Sequence, residues 1–220
     1  MMDSFQFLAP WVSTLTPVLP NAVLLRWAQP LFWAIVMAFL ATQVTAGRPQ
    51  VIRRVVMTAA FAWAFMPGAW SPTWWLGLAF QLPSWTTVLL CGASVLTHWR
   101  RETGPESTRI ELGVLGWLAL GSGVLLLLDL FIFLPIALYR WGFSTLALTA
   151  LLATVTVVWV GARSALHRRE AALALVAMAL FVLTRLPTGN VFDALLDPWL
   201  WLALFFIATR QLVRFARSRL

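Results

Sequence analysis

Lysine is absent, and all sixteen basic residues are arginine. Chemistry that needs a side-chain amine is therefore closed to this chain, and a retinal Schiff base goes with it. Charge of either sign is scarce: 11% of residues are charged and 61% are hydrophobic, a balance far outside that of soluble domains. The one cysteine, Cys91, lies in the apolar run VLLCGASVL. It excludes an intrachain disulfide and is expected to be a soft core residue. Reaction motifs are missing as well. The chain has no H-E-x-x-H, no G-x-S-x-G, no phosphate-binding glycine loop and no dinucleotide fingerprint. No cluster has metal-ligand spacing. His98 and His167 fall at the ends of predicted spans, where an interfacial role is expected rather than haem ligation. No metal and no cofactor are expected, and the balance leans away from an enzyme.

Long apolar stretches recur along nearly the whole chain, which predicts one all-helical, membrane-embedded unit with no soluble domain between spans. The opening MMDSFQFLAPWVSTLTPVLP has no basic leader and is interrupted by Pro10, Pro17 and Pro20. Residues 1–25 therefore read as an interfacial arm, with Phe5, Phe7 and Trp11 suited to the headgroup layer, and residues 26–220 as a polytopic domain. A hydrocarbon layer of roughly 30 Å takes about 20 helical residues. On that scale seven spans are predicted, near 26–46, 51–67, 73–97, 111–136, 141–162, 170–186 and 198–215.

The separators between spans alternate in kind. Arg48, Arg53 and Arg54 follow the first span, Arg100, Arg101 and Arg109 the third, Arg163, Arg168 and Arg169 the fifth, and Arg210, Arg214, Arg217 and Arg219 close the chain. Only Arg26, Arg140 and Arg185 fall on the other side. By the positive-inside rule the N-terminus is outside and the C-terminus cytoplasmic, as expected of a multi-pass protein of a bacterial-type inner membrane. The +8 net charge then reads as topology and as contact with anionic lipids of the bilayer, and no nucleic-acid partner is expected. Trp11, Trp27, Trp70, Trp74, Trp75, Trp141, Trp199 and Trp201 all fall on the outer side, an aromatic belt that interfacial physics explains without a ligand.

The chain also hints at duplication. RWAQPLFWAIVMAFLATQVTAGRPQVIRR and RWGFSTLALTALLATVTVVWVGARSALHRR share an Arg-Trp opening and an Arg-Arg close, and SPTWW at 71–75 has a counterpart in DPWLW at 197–201. Each of the latter pairs a cap residue with proline at the first helical position. The arrangement is then three helices, one connecting helix and three helices, in parallel repeats. In span count, topology and length this resembles the SWEET sugar transporters, and the resemblance implies a central site between the triplets. It is architectural alone, for the fifth span has no internal proline and Pro49-Gln50 sits in a basic loop.

A few polar residues stand out against this background. Asp129 interrupts GVLLLLDLFIFLP about 27 Å along its helix from Glu111, near the level of Arg26, Arg140 and Arg185. A carboxylate at that depth needs a partner: an outward polar cup or proton site is one reading, a buried Asp-Arg clamp the other. Asp193 and Asp197 are four apart, and Pro198 marks Asp197 as the cap of the last span. Between Arg169 and Asp197 the chain runs 28 positions, against 17 between Arg54 and Ser71, so this enlarged outer loop is the first place to look for function. Gln81 and Pro83 interrupt the third span and mark either a packing kink or a candidate pathway. Gly116, Ala119 and Gly123 form a small-residue stripe for close helix approach.

Three functions fit these features. The first is a non-enzymatic membrane subunit or accessory protein, with a membrane-protein partner or as a homo-oligomer. The second is a small-solute transporter or channel using the repeat, Gln81, Pro83 and Asp129. The third is an enzyme acting on a lipid-linked or periplasmic-face substrate through Asp129, Asp193 and the outer arginines.

Overall fold

A computed structural model describes residues 18–100, 111–133 and 135–217. Among these residues the secondary structure is helical, in ten α-helices and one short 3-10 turn. In chain order they are α1 (Ala22–Val44), α2 (Gln50–Trp63), the turn Gly68–Trp70, α3 (Pro72–Phe80), α4 (Trp85–Arg100), α5 (Val114–Leu130), α6 (Leu138–Trp141), α7 (Thr145–Gly161), α8 (Ala165–Thr184), α9 (Val191–Leu195) and α10 (Pro198–Arg217). By length and composition α1 and α10 could each cross a membrane, and α5 and α7 are shorter apolar helices. Part of the predicted N-terminal arm, with Trp11, lies outside the described residues, as do Arg101, Arg109 and Arg219.

Boundaries shift where local capping competes with hydropathy. Asn21 accepts the Val23 N–H and starts α1 ahead of Arg26. Ser164 does the same for α8 through His167, so Arg168 and Arg169 belong to the helix rather than to the loop before it. The stretch predicted to run to 136 stops at Leu130, where the Phe133 N–H reaches back to the Leu128 carbonyl and Ile132 takes a left-handed conformation at φ 61°. Such a reverse turn closes a helix by satisfying its last carbonyls.

The largest departure is in the third stretch, which is two helices and not one. The Gln50 and Arg54 side chains bond the Trp99 carbonyl, so α2 and α4 meet at the arginine-rich end. From there α2, with 14 residues, rises about 21 Å, and α4, with 16, about 24 Å. The nine-residue α3, about 13 Å long, joins their far ends and so crosses the end of the bundle instead of extending α4. Its start is tied to α2, since Ser71 Oγ and Thr73 Oγ1 both donate to the Ala64 carbonyl. Ser71 also caps α3 by accepting the Thr73 N–H, with Pro72 at the first position.

Packing is centred on α1, α4 and α8. Phe32 and Trp85 meet edge to face at 4.5 Å, within a cluster of Ala28, Leu82, Val88 and Leu186. A second cluster joins Val155, Ala171 and Met178 across α7 and α8. The two candidate repeats share their punctuation but not their pairing: α1 packs on both α2 and α4, whereas α7 packs on α8 and α10 packs on α5. The small-residue stripe serves the last contact at Gly123, while Gly116 faces Leu112 and Glu170 of α8. Gly116 and Gly123 are buried, and the Trp201 indole lies on Gly123 and donates to the Leu120 carbonyl at 3.1 Å.

A Cβ at Gly123 would collide with the Trp201 ring, while one at Gly121 meets open space. Gly123→Val is expected to destabilise the protein by about 1–3 kcal/mol through forced repacking, and Gly121→Val to leave it nearly unchanged. Thermal unfolding of the two variants in one detergent checks this difference.

Candidate functional site

At the tryptophan-rich end the linkers between helices are held by side chains. Asp129, in the last turn of α5, accepts the backbone N–H of Tyr139 at 2.7 Å, which fixes the start of α6. The Tyr139 hydroxyl donates to Asp193 Oδ2 at 2.6 Å, and Thr188 Oγ1 donates to the same oxygen at 2.5 Å. One carboxylate thus gathers the linker after α5 and the linker after α8. Asn190, with no exposed surface, uses both ends of its amide: Nδ2 donates to the Tyr139 carbonyl at 2.9 Å and Oδ1 accepts the Phe192 N–H at 2.9 Å. The Val191 N–H donates to the Gly142 carbonyl. Gly142 has to be glycine here, because a Cβ would run into the Asn190 amide and the Phe192 ring.

Burial sets the electrostatics of this network. Desolvation raises the Asp193 pKa above its ordinary 3.8, against the opposing hydrogen bonds from Thr188 and Tyr139. Tyr139 is also pushed upward, first by burial and then by the hydrogen bond to, and the charge of, Asp193. A phenol beside a carboxylate holds its proton more tightly, so Tyr139 acts here as a hydrogen-bond donor and not as a nucleophile.

Asp197 belongs to a different centre. It is 7% exposed and sits where the third stretch breaks. Oδ2 accepts the Ser84 N–H at 2.8 Å, at the start of α4, and Oδ1 accepts the Leu200 N–H at 2.7 Å, in the first turn of α10. A negative charge at two helix N-termini is favoured by both dipoles. Ser84 in turn caps α4 by accepting the Thr87 N–H. The other side of the break is closed by Trp33, whose Nε1 donates to the Gln81 carbonyl at 2.9 Å. Pro83 and Ser84 are buried in this junction, and Gln81 is exposed.

The predicted polar cluster therefore divides. Asp129 and Asp193 converge through Tyr139, while Asp197 is separate and caps the last long helix as its position before Pro198 implied. Asp129 takes a backbone N–H as its partner. Arg185 closes α8 in a left-handed conformation and lays its guanidinium over the Phe181 ring at 5.4 Å. Arg26 and Arg140 are exposed. Asp193 and Asp197 do not share a helix face, for α9 ends at Leu195. Tyr139, Thr188 and Asn190 were not singled out by sequence reasoning. Asn190 carried a signal in the segment NVFD, an Asn cap with an acid three residues on.

Two outcomes follow for these carboxylates. Asp197→Ala leaves a buried and a part-buried N–H unpaired and is expected to cost roughly 2–4 kcal/mol, with Asp197→Asn milder because one acceptor remains; thermal unfolding measures both. For Asp193 the folded-state pKa lies above the unfolded one, so the folded state binds the proton more tightly. Its contribution to stability is then largest below pH 3.8 and declines as pH rises through the folded-state value. Melting temperature followed from pH 4 upward should fall more steeply in the wild type than in Asp193→Asn.

No protein-family model, curated protein or solved structure matches the chain.

Proposed function

We propose that the chain is a seven-span inner-membrane protein, N-terminus outside and C-terminus cytoplasmic, that works as a non-enzymatic subunit or accessory protein. Every predicted apolar stretch carries a helix, and the third is crossed by α4 alone. Outer-side tryptophans are broadly exposed, with Trp70 at 80% and Trp27 at 68%, as an interfacial belt would be. The arginine-rich end suits anionic lipids.

One observation carries the functional reading. The outer carboxylates Asp129, Asp193 and Asp197 are each engaged in hydrogen bonds that hold the chain's own linkers and helix ends. An enzyme site needs groups free to meet a substrate, and this arrangement supports a rigid scaffold instead. The helix break likewise supports a packed junction, with Leu82, Pro83 and Ser84 buried against α1 and α10.

Topology is tested on a Cys91→Ala background with single cysteines placed at exposed positions. Trp70→Cys and Ile132→Cys should react with an impermeant maleimide from outside intact cells, and Arg48→Cys and Arg163→Cys only after lysis. The opposite pattern would reverse the orientation. For the functional reading, native mass spectrometry of the membrane-extracted protein should give a complex heavier than the 24.6 kDa chain. Solute flux, or turnover of a lipid-linked substrate, by the purified chain alone in proteoliposomes would sink it.

A further inference from the structure

The arginine-rich end of α10 outruns the rest of its packing. Ala208 is the last buried residue of the helix. Gln211 is the last half-buried one, and its side chain accepts the Leu112 N–H just before α5. Every residue from Leu212 to Arg217 is exposed, a further 9 Å or about that of helix. The sequence of α10 holds no aspartate and no glutamate, so the charge on this end is of one sign.

That charge is also on one face. Arg210, Arg214 and Arg217 are four and three residues apart and stand above one another on the helix. Leu212, Phe215 and Ala216 fall on the opposite side, with Leu212 58% and Phe215 56% exposed. The Arg210 guanidinium lies over the Phe206 ring at 5.2 Å, which holds it along the basic face. A helix dipole favours arginine in the last turn and so accounts for Arg214 or Arg217. It accounts neither for Arg210, two turns from the end, nor for the apolar residues opposite. Elsewhere at this end arginine serves the bundle itself, as Arg53 and Arg54 do at the His98 and Trp99 carbonyls.

We propose that this end of α10 is a seat for anionic phospholipid, with Arg210, Arg214 and Arg217 meeting the headgroup phosphates and Leu212, Phe215 and Ala216 lying against the acyl chains. A helix with one basic and one apolar face is most stable along the boundary between those two layers. Guanidinium pairs with phosphate through parallel N–H bonds, and the arginine stem adds apolar cover below the head. A net negative surface attracts three arginines of one face together, where a zwitterionic one offers phosphates without net charge. The affinity of the arginine-rich end for anionic lipid is thereby assigned to one helix and one face of it.

The assignment rests on the spanning arrangement, and the test separates the two. The full chain, with Cys91→Ala and a fluorophore on Ala216→Cys, is reconstituted in nanodiscs of phosphatidylcholine with and without phosphatidylglycerol. A nitroxide on the shallow part of an acyl chain should quench the probe more strongly in the anionic discs, and added salt should reverse the gain. Arg214→Gln with Arg217→Gln should weaken that gain by at least about fivefold, the contribution of a single arginine at such a surface. Arg163→Gln with Arg168→Gln, an equal loss of exposed charge away from α10, should leave it unchanged. Quenching that ignores lipid charge would leave this face to a protein partner and overturn the lipid assignment. Equal loss in both double variants would overturn its placement on α10. A second probe on Leu125→Cys, in the middle of α5, should be closed to a neutral aqueous quencher in either lipid. If it is open, the spanning arrangement fails and the assignment fails with it.

Discussion

The structure depends on a carboxylate that starts two helices. An apolar stretch breaks at Pro83, and a break creates a helix N-terminus whose N–H groups need acceptors. Ser84 supplies one from its own side chain, and Asp197 supplies the other from more than a hundred residues away. The same Asp197 opens α10. Since α4 lies among α1, α8 and α9 while α10 packs on α5, this one group joins two parts of the bundle whose apolar faces meet little. Desolvating a carboxylate is expensive, and two N–H donors at converging helix dipoles offset that cost without an arginine.

Much of this was legible in the sequence because helix-ending chemistry is local. Ser71-Pro72 and Asp197-Pro198 announce helix starts, and both caps are formed as their spacing implies. Hydropathy located each apolar stretch. It could not say that the third stretch was two helices, because a proline alone is compatible with a bend or with a break. The decision lies with groups distant in sequence: Trp33 takes the Gln81 carbonyl and Asp197 takes the Ser84 N–H. Either one makes the broken form affordable, and neither can be read from LAFQLPSW.

The linkers show the same limit from the other side. Depth alone suggested that Asp129 needs a partner, in a polar cup or an arginine clamp, because charge and spacing are visible in a sequence while backbone direction is not. Once α5 ends at Leu130, the chain turns back and presents the Tyr139 N–H within reach. Asp193 then finds the only tyrosine in the chain, Tyr139, together with Thr188. The enlargement of this loop was visible, and its content is a hydrogen-bonded plate that ties the end of α8 to the linker before α7.

Helix ends rather than helix faces set the register at the arginine-rich end too. Arg53 and Arg54 donate to the His98 and Trp99 carbonyls at the end of α4, Glu170 accepts the Gly113 N–H before α5, and Gln211 accepts that of Leu112. For the proposed membrane arrangement this follows from elementary energetics. Apolar faces gain little by choosing one apolar neighbour over another, whereas an unpaired N–H or carbonyl costs several kcal/mol. Short helices raise the stake, because the four unpaired groups at each end become a larger share of the whole. In a chain with so few polar side chains, placing them at helix termini is then the most effective way to fix which helices are neighbours.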